Sequence, residues 1–388
     1  MVCFMNGIVV LIFNLPRSFV SSQTQVGRDD NIEPFSLLCR IYNVAKNPPI
    51  NYVNLQQSNK VVEEIDALNR SLLEEKRLDE KEDAGNNSEA HVKPTVTREE
   101  ALTQLSLNQI TQKANTILEE IEKMNVTKNI ENTKAEFHKV IFGENGSESE
   151  LCQATVKGMD NRSEVCGKPG AQEKGSHAGN NLVVDFFCLC AQRTDEEGAN
   201  QVCGFYVGRI SQYYGWDEKN GPWGSSTMWA SIKGGCGKHM YRRPKSTAEA
   251  RHILDQFLKH LKTCGVYRWG SGKVEISEIN EGMLGKGVQK KGSSREERSI
   301  CDRKKEKSGN LGGVCVYYGQ EPHSWEANIA WLKVFKTSLT GVDAVNNKTA
   351  TLQRALQKLQ MLHQSSGEIY ETAKVISEIQ KPKKHADV

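Results

Sequence analysis

The chain has 388 residues, 51 of them basic and 48 acidic, for a net charge of +3, and 37% of it is hydrophobic. So small a net charge gives no global field that would draw it to nucleic acid or anionic lipid. The apolar content is below that of ordinary soluble domains, so the fold needs more than one large core to hold it.

In chain order, the first element is the uncharged apolar stretch Gly7–Leu15 (GIVVLIFNL), too short to span a bilayer as a helix. It reads as a secretory signal over residues 1–22, with Val20 and Ser22 at the cleavage site and a mature chain starting near Gln23. Removal of the signal takes Cys3 with it. Cys39, Cys152, Cys166, Cys188, Cys190, Cys203, Cys236, Cys264, Cys301 and Cys315 remain, an even set that predicts a disulfide framework in an oxidising compartment. Asn-x-Ser/Thr acceptors occur at Asn69, Asn86, Asn125, Asn145, Asn161 and Asn347. Asn86, Asn145 and Asn161 sit in polar, turn-rich stretches, and at least one of them is expected to carry a glycan. Asn69 lies on a helical stripe between Ile65 and Leu72 and is a poorer acceptor.

Three segments carry long helical periodicity. Over 51–80, Leu55, Val62, Ile65 and Leu72 recur near heptad spacing until KEDAGNNSEAHVKP breaks the pattern. Over 97–125, a capping box at Thr97 and Glu100 precedes Leu107, Ile110, Ala114, Ile117, Ile121 and Met124. Over 324–379, with Ser324 as cap, the stripe is Leu352, Ala355, Leu359, Leu362, Ile369, Ala373 and Ile376. A helix of that length runs to about 80 Å. The fold class predicted is mainly α: an elongated antiparallel helical bundle or coiled coil, its seam extending beyond what the two shorter helices cover and so paired with a second copy.

Residues 143–323 differ in kind, holding most of the cysteines and glycines and four of the six tryptophans. They predict a disulfide-rich, loop-rich lobe with one clear helix at 246–264 and exposed tips at GENGSESE (143–150) and GSSREERS (292–299). The basic run DRKKEK at 302–307 is diluted by its own acids and reads as a solvated loop. Within the lobe FFCLCAQR (186–193) places Cys188 and Cys190 one residue apart. Zinc would call for paired C-x2-C spacings and redox chemistry for C-x-x-C, whereas here the pattern is C-x-C-x12-C. Residues two apart rarely bridge each other. Each therefore ties the segment to a different neighbour, and FFCLC becomes a central apolar element. Short glycine-bearing loops make Cys152 with Cys166 and Cys301 with Cys315 the expected local bridges.

No motif for catalysis, metal or cofactor stands out. GGCGK (234–238) and GMLGKG (282–287) lack the full phosphate-binding pattern, and there is neither a G-x-S-x-G elbow nor H-E-x-x-H. His252 and His260, eight apart on one helix, suit surface exposure better than shared ligation. The tryptophans of YYGWDEKNGPWGSSTMW (213–229) are read as core filling, with a carbohydrate platform as the alternative.

FSLLCRIYNVAKNPP (35–49), VVDFFCLCAQ (183–192), CGFYVG with the tryptophan run and GGCGKH (203–239), and the closing heptad helix together resemble the B-type amino-terminal domain of African trypanosome variant surface glycoproteins. The resemblance covers most of residues 30–380 and makes 23–380 one such domain, with 381–388 a polar tail. It implies a homodimer packed into a dense coat on the external face of the plasma membrane. That coat shields the cell from host antibodies and is renewed by antigenic variation. It implies no enzyme activity and no cofactor. Family members end in an apolar tail exchanged for a glycosylphosphatidylinositol anchor, whereas IQKPKKHADV (379–388) has neither that tail nor a small-residue site. Membrane attachment is thus expected only through a lipid anchor not encoded in these residues, with release as the alternative. A receptor for a host serum glycoprotein on the same scaffold is the second functional expectation, and a secreted enzyme the third.

Overall fold

A computed structural model describes residues 26–86, 98–195, 198–208, 214–217, 219–239, 242–263, 266–269, 276–288, 300–303, 312–321 and 323–380. The proposed signal at 1–22, Cys264, the tip at 292–299 and the tail at 381–388 lie outside them. The described chain is mostly helical and divides into two compact units: residues up to Pro49 together with Lys134–Leu339, and Ile50–Thr133 together with the residues from Thr340 on.

The first unit begins with α1, Ile32–Lys46, which carries Glu33 in its first turn and Lys46 in its last, matching the helix dipole at both ends. Phe35, Leu38, Cys39, Ile41 and Val44 are fully buried along it. Further helices follow, among them the short α5 (Arg162–Cys166), α6 (Leu182–Cys190), α7 (Ser225–Gly237) and α8 (Thr247–Thr263). Two short hairpins stand among them, β1–β2 (Gly167–Lys168, Glu173–Lys174) and β3–β4 (Gly215–Asp217, Gly221–Trp223). A four-stranded sheet has the order β6-β5-β7-β8, from β5 (Val266–Trp269), β6 (Ile276–Ile279), β7 (Met283–Val288) and β8 (Gly313–Tyr317). β5 and β7 are parallel and the other pairs antiparallel. β8 is buried along its whole length.

The expectation of a single clear helix in residues 143–323 is corrected, since the short α5, α6 and α7 accompany α8 there. Glycines hid α7, which contains GGCG yet needs Gly235 where it passes Phe205. A Cβ there would come within 2.2 Å of the ring. His260 of α8 is buried at 6% exposure, not on the surface, with its Nδ1 3.7 Å from Glu33 of α1. Burial lowers its pKa, opposed by Glu33.

The second unit is built on α2 (Gln56–Asn86), α3 (Arg98–Lys123) and the part of α9 (Ala330–Gln380) beyond Leu339. Asn69 meets Gln104 and Asn108, while Leu55 and Ser58 share a groove with Ile121 and Asn125, so α2 and α3 are antiparallel. Asn51 meets Asn346 and Thr349, and Glu64 meets His363, so α2 and α9 run parallel. Their shared core is Val62 and Ile65 of α2, Ile110, Ala114 and Ile121 of α3, and Leu352, Ala355 and Leu359 of α9. The seam on α9 as far as Leu359 is therefore covered within one chain. Leu362 and Ile369 pack at its margin, while Val375 and Ile379 remain exposed.

Helix boundaries move from the sequence reading at each end. α2 starts five residues later than 51 and passes 80, since Leu55 packs from a turn. α3 stops at Lys123 and a separate helix, α4 (Val126–Phe142), follows at once. Asn125 makes the break with φ +48°, a left-handed conformation that asparagine tolerates better than most residues. α9 begins at Ala330, after a 3-10 turn at Trp325–Ala327, and Ser324 makes no side-chain cap.

Candidate functional site

The best-defined constellation is the segment FFCLCAQR, which forms α6 and its exit. Asn181 caps its start, accepting from the Val184 N–H at 2.9 Å. Every residue from Leu182 to Cys190 is buried. Cys188 bonds to Cys166 of α5 and Cys190 to Cys203, so the pair does tie the helix in two directions. Cys39–Cys236 joins α1 to α7, and Cys301–Cys315 anchors the loop before β8. The expected Cys152–Cys166 bridge is corrected: Cys188 occupies Cys166, and Cys152 is an exposed free thiol on the π-helical turn Leu151–Thr155.

Two buried guanidiniums close the other end of α6, where helix carbonyls lack intrahelical partners. Arg162 donates from Nη1 to Ala191 O at 2.7 Å, and from Nη2 to Phe187 O at 3.1 Å and Cys188 O at 2.7 Å. Its guanidinium also lies 4.8 Å from the Trp216 ring centre. Arg303 donates from Nε to Ala199 O at 2.9 Å and from Nη1 to Cys190 O and Ala191 O. Positive charge at a helix C-terminus is favourable, but burial costs charge its solvation. Burial accordingly lowers the Arg162 pKa, the nearby Arg303 and Arg193 adding to it, and brings Arg303 down to about 9. The run at 302–307 is thus corrected at its first two residues, since Asp302 and Arg303 are both buried. Residues 304–307 lie outside the described ones.

At the opposite end of α6, Asp185 is fully buried. Its Oδ1 accepts from Gly179 N at 2.8 Å, and its Oδ2 from Tyr318 Oη at 2.8 Å and Trp331 Nε1 at 2.7 Å. Burial pushes its pKa up to about 7, against the pull of the three donors. Asn31 ties the helix laterally, donating to Leu189 O at 3.1 Å and Val314 O at 2.9 Å. Sequence reasoning found the cysteines but missed Arg162, Arg303, Asp185 and Asn31, because no local pattern distinguishes them from solvated residues. The cluster pins a helix from all sides. Most of its polar groups are spent on backbone groups and on the Tyr318 and Trp331 donors, with Asn31 Oδ1 and Arg162 Nε buried without a hydrogen-bond partner, which gives it a structural chemistry.

Of the tryptophans, Trp216 and Trp229 are buried and Trp223 is half exposed. Among the described residues no group of three or more His, Cys, Asp or Glu side chains could hold a metal ion, and no helix is long and apolar enough to cross a membrane.

The candidate acceptor asparagines are dispersed. Asn69 is occupied at the α2–α3 contact, donating to Asn108 Oδ1 at 3.0 Å and accepting from Gln104 Nε2 at 2.7 Å. Asn161 is exposed but caps α5, accepting from Ser163 N at 3.1 Å and donating to Glu164 at 3.2 Å. Asn347 is exposed on α9, yet the Thr349 of its motif is buried and donates to Asn51 O at 3.3 Å. Asn125 and Asn145 are exposed outside helices. Asn86 ends α2, and its side chain lies outside the described residues.

Comparison with known proteins gives two findings. Residues 15–101 and 79–361 match the family described as the trypanosomal VSG domain. The chain is also 26% identical over 242 residues to the variant surface glycoprotein YnAT 1.3 of Trypanosoma congolense, a match covering 58% of this chain and 50% of that protein. The chain thus spans about half the length of the curated relative it matches.

Proposed function

The chain belongs to the family of trypanosomal VSG domains, and from that membership we propose that it is a coat glycoprotein on the outer face of a trypanosome. There it shields the surface beneath from host antibody and changes its exposed epitopes by antigenic variation. The observation that carries this reading is the family match, which runs through both units. The pinned α6 gives it a physical basis. A frame fixed by the four bridges among the described residues and by two buried guanidiniums lets exposed loops such as 143–150 differ without loss of the core.

The reading includes a homodimer and attachment through a lipid anchor. Support for the dimer is the apolar surface left on the second unit, where Met361, Val375 and Ile379 are 69%, 54% and 77% exposed. Self-complementary contact by a second copy would cover them. The test is antibody raised against the folded chain, applied to intact cells with and without a phosphatidylinositol-specific phospholipase. Dense surface labelling that the enzyme releases is expected. Labelling only after permeabilisation would overturn the coat reading, and saturable capture of one host serum glycoprotein would favour a receptor.

A further inference from the structure

Between the start of α2, the end of α3 and the start of α4 lies a groove of about 560 Å³, within the range of small-ligand sites, roughly 300–1,000 Å³. Its apolar lining comes from Leu55, Ile121 and Val126, and Ser58, Asn59, Glu122, Lys128 and Glu131 supply polar groups around them. Asn125 and Thr127, the two recognised residues of one Asn-x-Ser/Thr motif, line the same groove. Both are exposed. We infer that Asn125 carries an N-linked glycan and that its first N-acetylhexosamine is seated in this groove.

The lining suits such a sugar, whose ring C–H face and acetyl methyl are apolar while its hydroxyls and amide need hydrogen-bonding partners. The other motifs whose side chains are described offer less, Asn86 lying outside that set. Asn69 and Asn161 spend their amides on neighbouring side chains, and the Thr349 hydroxyl of the Asn347 motif is committed to Asn51 O. Asn145 is exposed, but it does not line this groove. The modification needs an oligosaccharide pyrophosphate donor. The anomeric C–O bond breaks, a C–N bond forms to Asn125 Nδ2, and one amide proton leaves to the medium as the lipid pyrophosphate departs. The asparagine Oδ1 and one N–H survive. The inference rests on the secretory reading above, because the donor is met only on that route.

Glycopeptide mapping of the full chain made in a secreting eukaryotic cell tests it. Asn125 should be occupied, and Thr127→Ala, an exposed change, should abolish that glycan alone. Asn125 bare beside an occupied Asn145 or Asn161 would overturn this inference and leave the secretory reading standing. If every motif is bare, the secretory reading fails and takes the inference with it. For the seating, peptide N-glycosidase acting on folded protein should release the Asn125 glycan about tenfold faster from Asn59→Ala/Glu131→Ala than from the unmodified sequence, equivalent to about 1.4 kcal/mol of protection. Equal rates would overturn the seating.

Discussion

The first unit and the second unit are held by different means. The first contains all four described disulfides, and its largest side chains, among them Trp216, Trp229, Trp331, Tyr317 and Tyr318, are almost completely enclosed. The second contains no described bridge, and its core is one seam of aliphatic residues on three helices. Where loops and short elements must be ordered, the chain uses covalent closure and backbone-capping charges. Periodic sequence needs neither, since each helix satisfies its own backbone and buries one stripe.

The sharpest way to break this contrast is to remove both bridges of α6. Cys188→Ser with Cys190→Ser should cost about 2–5 kcal/mol per bridge and expose the tryptophans of the first unit, read by fluorescence in a denaturant titration. Next in size, Leu359→Ala removes a fully buried seam residue and should cost about 2–5 kcal/mol in all. Here the loss should appear as helical circular dichroism with the lobe fluorescence unchanged. Leu359→Asp with Ile369→Asp, which the sequence alone offers as a probe of dimerisation, would also disrupt this internal core, since Leu359 belongs to it.

Those two changes also mark what could be read from sequence. Leu107, Ile110, Ala114, Ile121, Leu352, Ala355 and Leu359 announce themselves by their spacing, and all are buried as a helix seam requires. The centrality of FFCLC was legible from its apolar run and its paired cysteines. Partner choice was not. Cys39 and Cys236 are 197 residues apart, and only the packing of α1 on α7 brings them together. Arg162 and Arg303 were illegible because their partners are backbone carbonyls, which every residue has. Short-loop reasoning found Cys301 with Cys315 and misplaced Cys166, whose partner is set by α5 lying on α6.

A smaller effect separates the units by pH. Asp185, raised to about 7 in the folded chain, has an unfolded value of about 3.9. The folded state therefore binds more protons between those limits. Its contribution to stability is fully present below about pH 4 and is lost as pH rises through about 7, with a slope of at most about 1.4 kcal/mol per pH unit. Asp185→Asn should flatten that part of the profile for the first unit, and an unaltered slope would remove Asp185 as its source. Smallest of all, Asn69→Ala deletes the bridge to Gln104 and Asn108 and should cost about 0.5–1.5 kcal/mol, seen only in the helical transition.

The most direct measurement of the division between units is hydrogen exchange on the full chain before and after reduction of its disulfides. Amides of Leu182–Cys190 and Gly313–Tyr317 should lose their protection when the bridges open, while those of Leu107–Ile121 and Val345–Leu362 keep theirs. Loss of protection in all four segments together would contradict the account, showing that the helical seam depends on the bridges and does not stand by its own packing.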